Sequence, residues 1–117
     1  RLQGDWSSDV CSSDLLDGII ATNTTISRIS LKSNNKYEKG GLSGEPLKER
    51  SNEVIRLLRK NLGPNFPIIG VGGIMNPEDA IEKIKSGADL IQLYTGFIYE
   101  GPNIVKKINK ALISQNN

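Results

Sequence analysis

The sequence predicts an α/β fold in which crossover helices cover a parallel sheet, and three observations predict it. Short, β-branched runs alternate with longer segments whose apolar residues recur at helical spacing. The runs themselves are continuously apolar, as suits strands buried on both faces of a parallel sheet. Each run also ends in small or polar residues: Thr22-Asn23-Thr24, Gly72-Gly73 and Tyr94-Thr95-Gly96. An open doubly wound sheet and a barrel both fit this order. In either, ligands bind at the carboxyl ends of the strands.

The first strand is predicted over Gly18-Ile19-Ile20-Ala21-Thr22-Asn23. A polar stretch, 25–45, follows with Gly40-Gly41 and Gly44 near its end, and a loop of that length is expected to be functional or mobile. A helix over 46–62 takes Pro46 in its first turn and aligns Val54, Ile55, Leu58 and Leu62 on one face. Gly63-Pro64 stops it. Pro67-Ile68-Ile69-Gly70-Val71 is the second strand. Asn76-Pro77-Glu78-Asp79 then reads as an N-cap, a first-turn proline and two acids at the positive helix end. Ala80, Ile81 and Ile84 are expected to face the sheet, with Gly87 closing the helix. The third strand is Leu90-Ile91-Gln92-Leu93-Tyr94. Gly101-Pro102 introduces a last helix with Ile104, Val105, Ile108, Ala111 and Leu112 inward and Lys106, Lys107 and Lys110 in solvent. The tail from Ser114 is expected to fray.

Composition narrows the function. The chain of 117 residues carries 15 Lys and Arg against 13 Asp and Glu, a net charge of +2. That balance argues against a nucleic-acid or acidic-membrane binder, which needs clustered basic charge. There is no histidine, which removes the commonest general base and metal ligand, and no Cys/His spacing suggests a metal site. No apolar run reaches the ~18 residues of a membrane helix.

Residues 1–15 stand apart from this pattern. Asp5-Trp6-Ser7-Ser8-Asp9-Val10-Cys11-Ser12-Ser13-Asp14-Leu15 is what a widely used sequencing-adapter oligonucleotide spells in one reading frame. Residues 1–15 are therefore expected to be adapter-derived, and Trp6 and Cys11 are not read as a site. On this reading 16–117 is the native part, entered within a strand, so the chain is expected to be a fragment.

At the strand ends the chemistry points to phosphate and to a polar heterocycle. Gly72-Gly73 lets backbone N–H groups approach an anion without an intervening Cβ, though by itself such a pair is more often plain turn geometry. Thr95-Gly96 offers a second set of donors with a hydroxyl beside them. Two such turns on the last two strands match the usual barrel phosphate site. The Asn23 amide both donates and accepts, so it can pair with a lactam or urea edge, or it can cap the following turn. Thr22 and Thr24 are strand-end hydroxyls open to either use. Arg28 is left between neutralising a carboxylate and standing in solvent. No nucleophile or base stands out.

These residues also carry a family resemblance. Asp17-Gly18-Ile19-Ile20-Ala21-Thr22-Asn23-Thr24-Thr25 and Gly40-Gly41-Leu42-Ser43-Gly44-Glu45-Pro46-Leu47 closely resemble the quinone-dependent (class 2) dihydroorotate dehydrogenases. So do Pro67-Ile68-Ile69-Gly70-Val71-Gly72-Gly73-Ile74 and the run from Gln92 to Pro102. The resemblance covers 16–112, and the Ser43–Leu47 run entering a helix is similar to class 2 rather than class 1. Thr95 stands where serine is frequent, and the 29–39 loop is rich in Lys and Asn.

The resemblance implies the last three βα units of an FMN-binding (β/α)8 TIM barrel, a fold of ~250 residues. It implies that Thr22, Gly44, Gly73, Tyr94 and Thr95 contact FMN, with Gly73, Tyr94 and Thr95 at the phosphate. It implies that Asn23 and Thr24 hold dihydroorotate or orotate. The family's catalytic base, flavin-contacting lysine and quinone-channel helices would lie upstream of Leu16. The implied parent oxidises dihydroorotate to orotate in pyrimidine synthesis, passes electrons to a quinone, and sits peripherally on the inner (cytoplasmic or mitochondrial) membrane. Ile19, Ile69 and Ile91 are expected on the barrel's inner face. Another phosphate-binding barrel enzyme, or a non-enzymatic binding module, remains as the alternative.

Overall fold

The computed structural model describes residues 16–29 and 31–115; the adapter-like stretch lies outside the described residues. Three parallel strands, β1 (Ile19–Ala21), β2 (Ile68–Val71) and β3 (Leu90–Gln92), form one sheet in the order β1-β2-β3. A 3-10 turn over Glu45–Leu47 leads into α1 (Lys48–Leu62), α2 (Pro77–Ser86) links β2 to β3, and α3 (Thr95–Glu100) and α4 (Asn103–Gln115) follow. The expected alternation is therefore present, with local differences. Pro46 belongs to the 3-10 turn rather than to the α-helix, and the third strand stops at Gln92. The short helix α3 was not expected. Of the tail expected to fray, Ser114 and Gln115 complete α4, with the Ser114 hydroxyl donating to the Lys110 carbonyl, and 116–117 lie outside the described residues.

Register decides which face of the sheet each strand residue takes. Ile20 pairs with Ile69 and Ile69 with Leu90, so these three share one face. Ile19, Ala21, Ile68, Gly70 and Ile91 share the other, which the helices cover. Ala21, Ile68 and Ala88 pack there with Ile55 and Leu58 of α1, and Ile19 joins them. A second cluster of Ile74, Ala80, Ile104 and Ile108 joins α2 to α4, and Ile91 packs against it. The expected inner layer is thus corrected: Ile69 lies on the uncovered face, but its companions are Ile20 and Leu90. A strand's phase is set by pairing, which one sequence does not reveal. On that open face Ile20 is 58% and Leu90 63% exposed. Val105, assigned to the inward stripe of α4, is also exposed.

The amino ends of β2 and β3 are tied by Arg59. Its guanidinium donates to the carbonyls of Gly63, Phe66 and Gly87 and pairs with Asp89 at 2.7 Å. The same carboxylate oxygen of Asp89 accepts the Ile68 N–H at 2.8 Å. That backbone bond, and then Arg59, hold the Asp89 carboxyl below its ordinary range against an opposing effect of burial. This end of the sheet is stapled by side-chain hydrogen bonds to loop carbonyls.

Candidate functional site

A cleft of about 280 Å³ opens at the carboxyl ends of the three strands. Thr22, Asn23 and Thr24 enter it after β1, Gly72 and Gly73 after β2, and Tyr94 and Thr95 after β3; Ser43 and Gly44 arrive from the loop before α1. All seven residues singled out from the sequence (Thr22, Asn23, Thr24, Gly44, Gly73, Tyr94 and Thr95) therefore line one space. Ser43, Leu47 and Met75 line it too and were not singled out.

After β1 the chain stays attached to β2: the Thr22 N–H donates to the Val71 carbonyl at 2.8 Å. Asn23 Oδ1 accepts the Thr24 N–H at 2.8 Å, so the side-chain oxygen caps this turn. Its NH2 has no partner among the described residues, and the residue is exposed. The long loop is folded back as a hairpin-like arm. Thr25 and Leu42 exchange backbone hydrogen bonds of 3.0 and 2.7 Å. Neither use weighed for Arg28 is the one found. It donates to the carbonyls of Thr25, Lys36, Glu38 and Gly40 and so holds the arm together from inside.

The arm meets the last strand where Ser43 Oγ and Thr95 Oγ1 lie 2.9 Å apart. Gly44 at this junction has φ +87°, and a Cβ there would press on Thr95 Cγ2 at 3.1 Å. Gly73 has φ +75°, and a Cβ would collide with the backbone and Cβ of Lys48 at the start of α1. The glycine at position 73 is thus demanded by packing against α1. Lys48 is fixed by Asp79 at 3.1 Å, which raises its pKa, and Asp79 also accepts the Met75 N–H. Asn76 caps α2 as expected, accepting the Asp79 N–H at 2.8 Å.

Sequence reasoning missed Lys83. Hydropathy assigns a lysine to solvent, yet Lys83 is fully buried between α2, α1 and β2. Its Nζ donates to Ser51 Oγ at 2.9 Å and to the Gly72 carbonyl at 2.7 Å, and Ser51 in turn donates to the Val71 carbonyl. Burial lowers its pKa from 10.5 to about 8. Gly70 makes room for the stem, since a Cβ there would lie 2.7 Å from Lys83 Cγ. The available signal was position: Lys83 follows the buried Ala80 by one helical turn.

The lining suits an anion. No carboxylate is among the cleft residues, and hydroxyls of Thr22, Thr24, Ser43 and Thr95 surround it. The Gly73 N–H has no acceptor among the described residues. The turns after β2 and β3, with a short helix after the latter, are the parts from which barrels build phosphate sites. Among the described residues there is no acid, Cys or His group that could hold a metal, and no helix long and apolar enough to cross a membrane.

The chain as a whole is similar to known proteins. A family model described as dihydroorotate dehydrogenase matches residues 4–115. A dihydroorotate dehydrogenase (quinone) from Christiangramia forsetii is 63% identical over 98 residues, which is 84% of this chain and 29% of the relative. Its counterpart from Akkermansia muciniphila is 56% identical, with 83% and 28% covered. A crystal structure of the Eimeria tenella enzyme in complex with ferulenol superposes with a TM-score of 0.84 and 40% identity, over 92% of this chain and 29% of that one. The chain thus spans under a third of the length of the relatives it matches. Of the two architectures left open by the strand order, the match selects part of a TIM barrel.

Proposed function

Since the chain belongs to the dihydroorotate dehydrogenase family, we propose that it forms the last three βα units of a quinone-dependent enzyme that oxidises dihydroorotate to orotate in pyrimidine synthesis. Residues 16–117 are the native segment, and residues 1–15 are adapter-derived. One observation carries the functional reading. Seven residues named for flavin and pyrimidine binding, drawn from three strand ends and one loop, line a single cleft that has no carboxylate.

When bound, FMN would supply the redox chemistry, as the acceptor of hydride from dihydroorotate. The residues of this chain bind and orient. The Gly73 N–H and the Thr95 hydroxyl would hold the phosphate, with Tyr94 beside them, while Thr22 and Gly44 would flank the rest of the cofactor. The NH2 of Asn23, left over once its oxygen caps the turn, donates to a carbonyl on the pyrimidine's urea edge, and Thr24 adds a hydroxyl. The arm braced by Arg28 and joined to Thr95 through Ser43 forms one wall of this cleft. The proton-accepting base, the quinone channel and the peripheral membrane contact belong to the remainder of the enzyme.

The test is spectroscopic. The complete enzyme purifies yellow, bleaches anaerobically when dihydroorotate is added, and recovers its colour with a quinone analogue. A colourless protein that binds a phosphate ester would favour a non-flavin barrel enzyme instead.

A further inference from the structure

The turn after β2 is held from behind by a buried charge. The Gly72 carbonyl is fixed by Lys83 Nζ at 2.7 Å, and the preceding carbonyl, of Val71, is fixed by Ser51 and by the Thr22 N–H. A trans peptide points its C=O and N–H in opposite directions. With the Gly72 carbonyl turned down toward Lys83, the N–H of the same peptide unit, that of Gly73, is turned away from it, and Gly73 lines the cleft. Lys83 itself does not reach the cleft.

We propose that Lys83 is a positioning residue for anion binding: its buried ammonium pins the Gly72 carbonyl away from the cleft, which aims the Gly73 N–H at a phosphate and places a positive charge behind it. The proposal rests on the reading of this cleft as the flavin-phosphate site. A charge in this low-dielectric layer acts more strongly on a bound dianion than a surface lysine does. The charges bearing on Lys83 are Glu82 and Asp79 of its own helix, which favour the ammonium, and Lys48 and Glu49 of α1, which act in opposite senses. From α4 the packed residues are Ile104 and Ile108, and β2 brings no titratable group. No carboxylate is hydrogen-bonded to the ammonium among the described residues, so burial dominates and its pKa falls to about 8. Below that value the ammonium is intact; above it the charge is lost while the phosphate stays dianionic.

The experiment compares FMN with riboflavin, which lacks the phosphate, by fluorescence quenching on the apo form of the complete enzyme. The ratio of the two affinities isolates the phosphate contribution and cancels general damage to the fold. In Lys83→Met the ratio falls at least about tenfold, the scale of a hydrogen bond to a charged group, while riboflavin affinity is little changed. In the unsubstituted enzyme the ratio falls as pH rises from 7 to 9.5, and in Lys83→Met it is flat. The wild-type profile decides alone if the variant does not fold. A large wild-type ratio that survives Lys83→Met, or that stays constant to pH 9.5, overturns the role of Lys83 and leaves the flavin site standing. A wild-type ratio near one overturns the phosphate site itself.

Discussion

Ser43 Oγ and Thr95 Oγ1 meet at 2.9 Å, joining the arm before α1 to the turn after β3 across 52 residues of sequence. Gly44 sits directly under this contact, its φ of +87° turning the chain into the helix. The link makes one wall of the cleft from two segments that share no secondary structure. It also makes the hydroxyl at position 95 matter, whether threonine or serine supplies it.

On the proposed reading Gly73 has two duties, packing against Lys48 and binding flavin, and substitution tests both. A side chain at φ +75° is strained, and its Cβ would strike the Lys48 backbone. Gly73→Ala in the complete enzyme is therefore expected to lose at least about 2 kcal/mol of stability and its flavin together. Chemical denaturation and flavin absorbance check this. A variant that keeps both would show that the turn has slack.

On the proposed reading Asn23 has two roles, a turn cap through its oxygen and a pyrimidine contact through its NH2. Asn23→Asp keeps the oxygen that caps the Thr24 N–H and removes the NH2. It is expected to retain flavin and fold while raising the KM for dihydroorotate roughly five- to 150-fold, the effect of a lost partner worth ~1–3 kcal/mol. Steady-state kinetics decide, and an unchanged KM would reduce Asn23 to a turn cap. Asn23→Ala, which removes the cap as well, should be no milder.

How far the sequence could be read follows from what each feature depends on. Strand and helix order, the Asn76 cap and the Gly63 and Gly87 stops are local, and they stand where expected. The cleft residues were legible because they cluster at strand ends, where a parallel sheet must bind. Register was not legible, so Ile20 and Leu90 rather than Ile19 and Ile91 accompany Ile69 on the open face. Nor were the buried polar groups. Ser51, Asn52 and Lys83 are hidden by packing between elements, which hydropathy marks as surface. Arg28 and Arg59 serve backbone carbonyls of loops, a use that leaves no periodic trace.

Asp89 is expected to matter for stability rather than for chemistry. Asp89→Ala strips the buried Ile68 N–H of its acceptor and Arg59 of its partner, a cost of about 1–3 kcal/mol at neutral pH. The folded-state pKa lies below the ordinary 3.8. The contribution is therefore complete above that value and fades as pH falls through the folded pKa. Denaturant midpoints at pH 7 and pH 3 check the sign, since the gap between variant and parent should narrow in acid.

Expressed alone, the 117-residue chain is expected to show no dehydrogenase activity and no tightly bound flavin. Its β1 and β3 are sheet edges among the described residues, and Ile20 and Leu90 stand on an uncovered face. Open parallel edges and exposed apolar surface favour association. Size-exclusion chromatography should show oligomers or aggregate, and a yellow, active monomer would contradict the expectation.

The central claim is that one cleft holds phosphate at Gly73 and Thr95 and pyrimidine at Asn23 and Thr24. Its most direct test measures FMN affinity of the apo-enzyme and orotate affinity of the flavin-loaded enzyme in Thr95→Val and Asn23→Asp. The account predicts a crossed result: Thr95→Val weakens FMN about five- to tenfold, the scale of one hydrogen bond, and spares orotate, while Asn23→Asp weakens orotate and spares FMN. Variants that weaken both ligands equally, or neither, would contradict it.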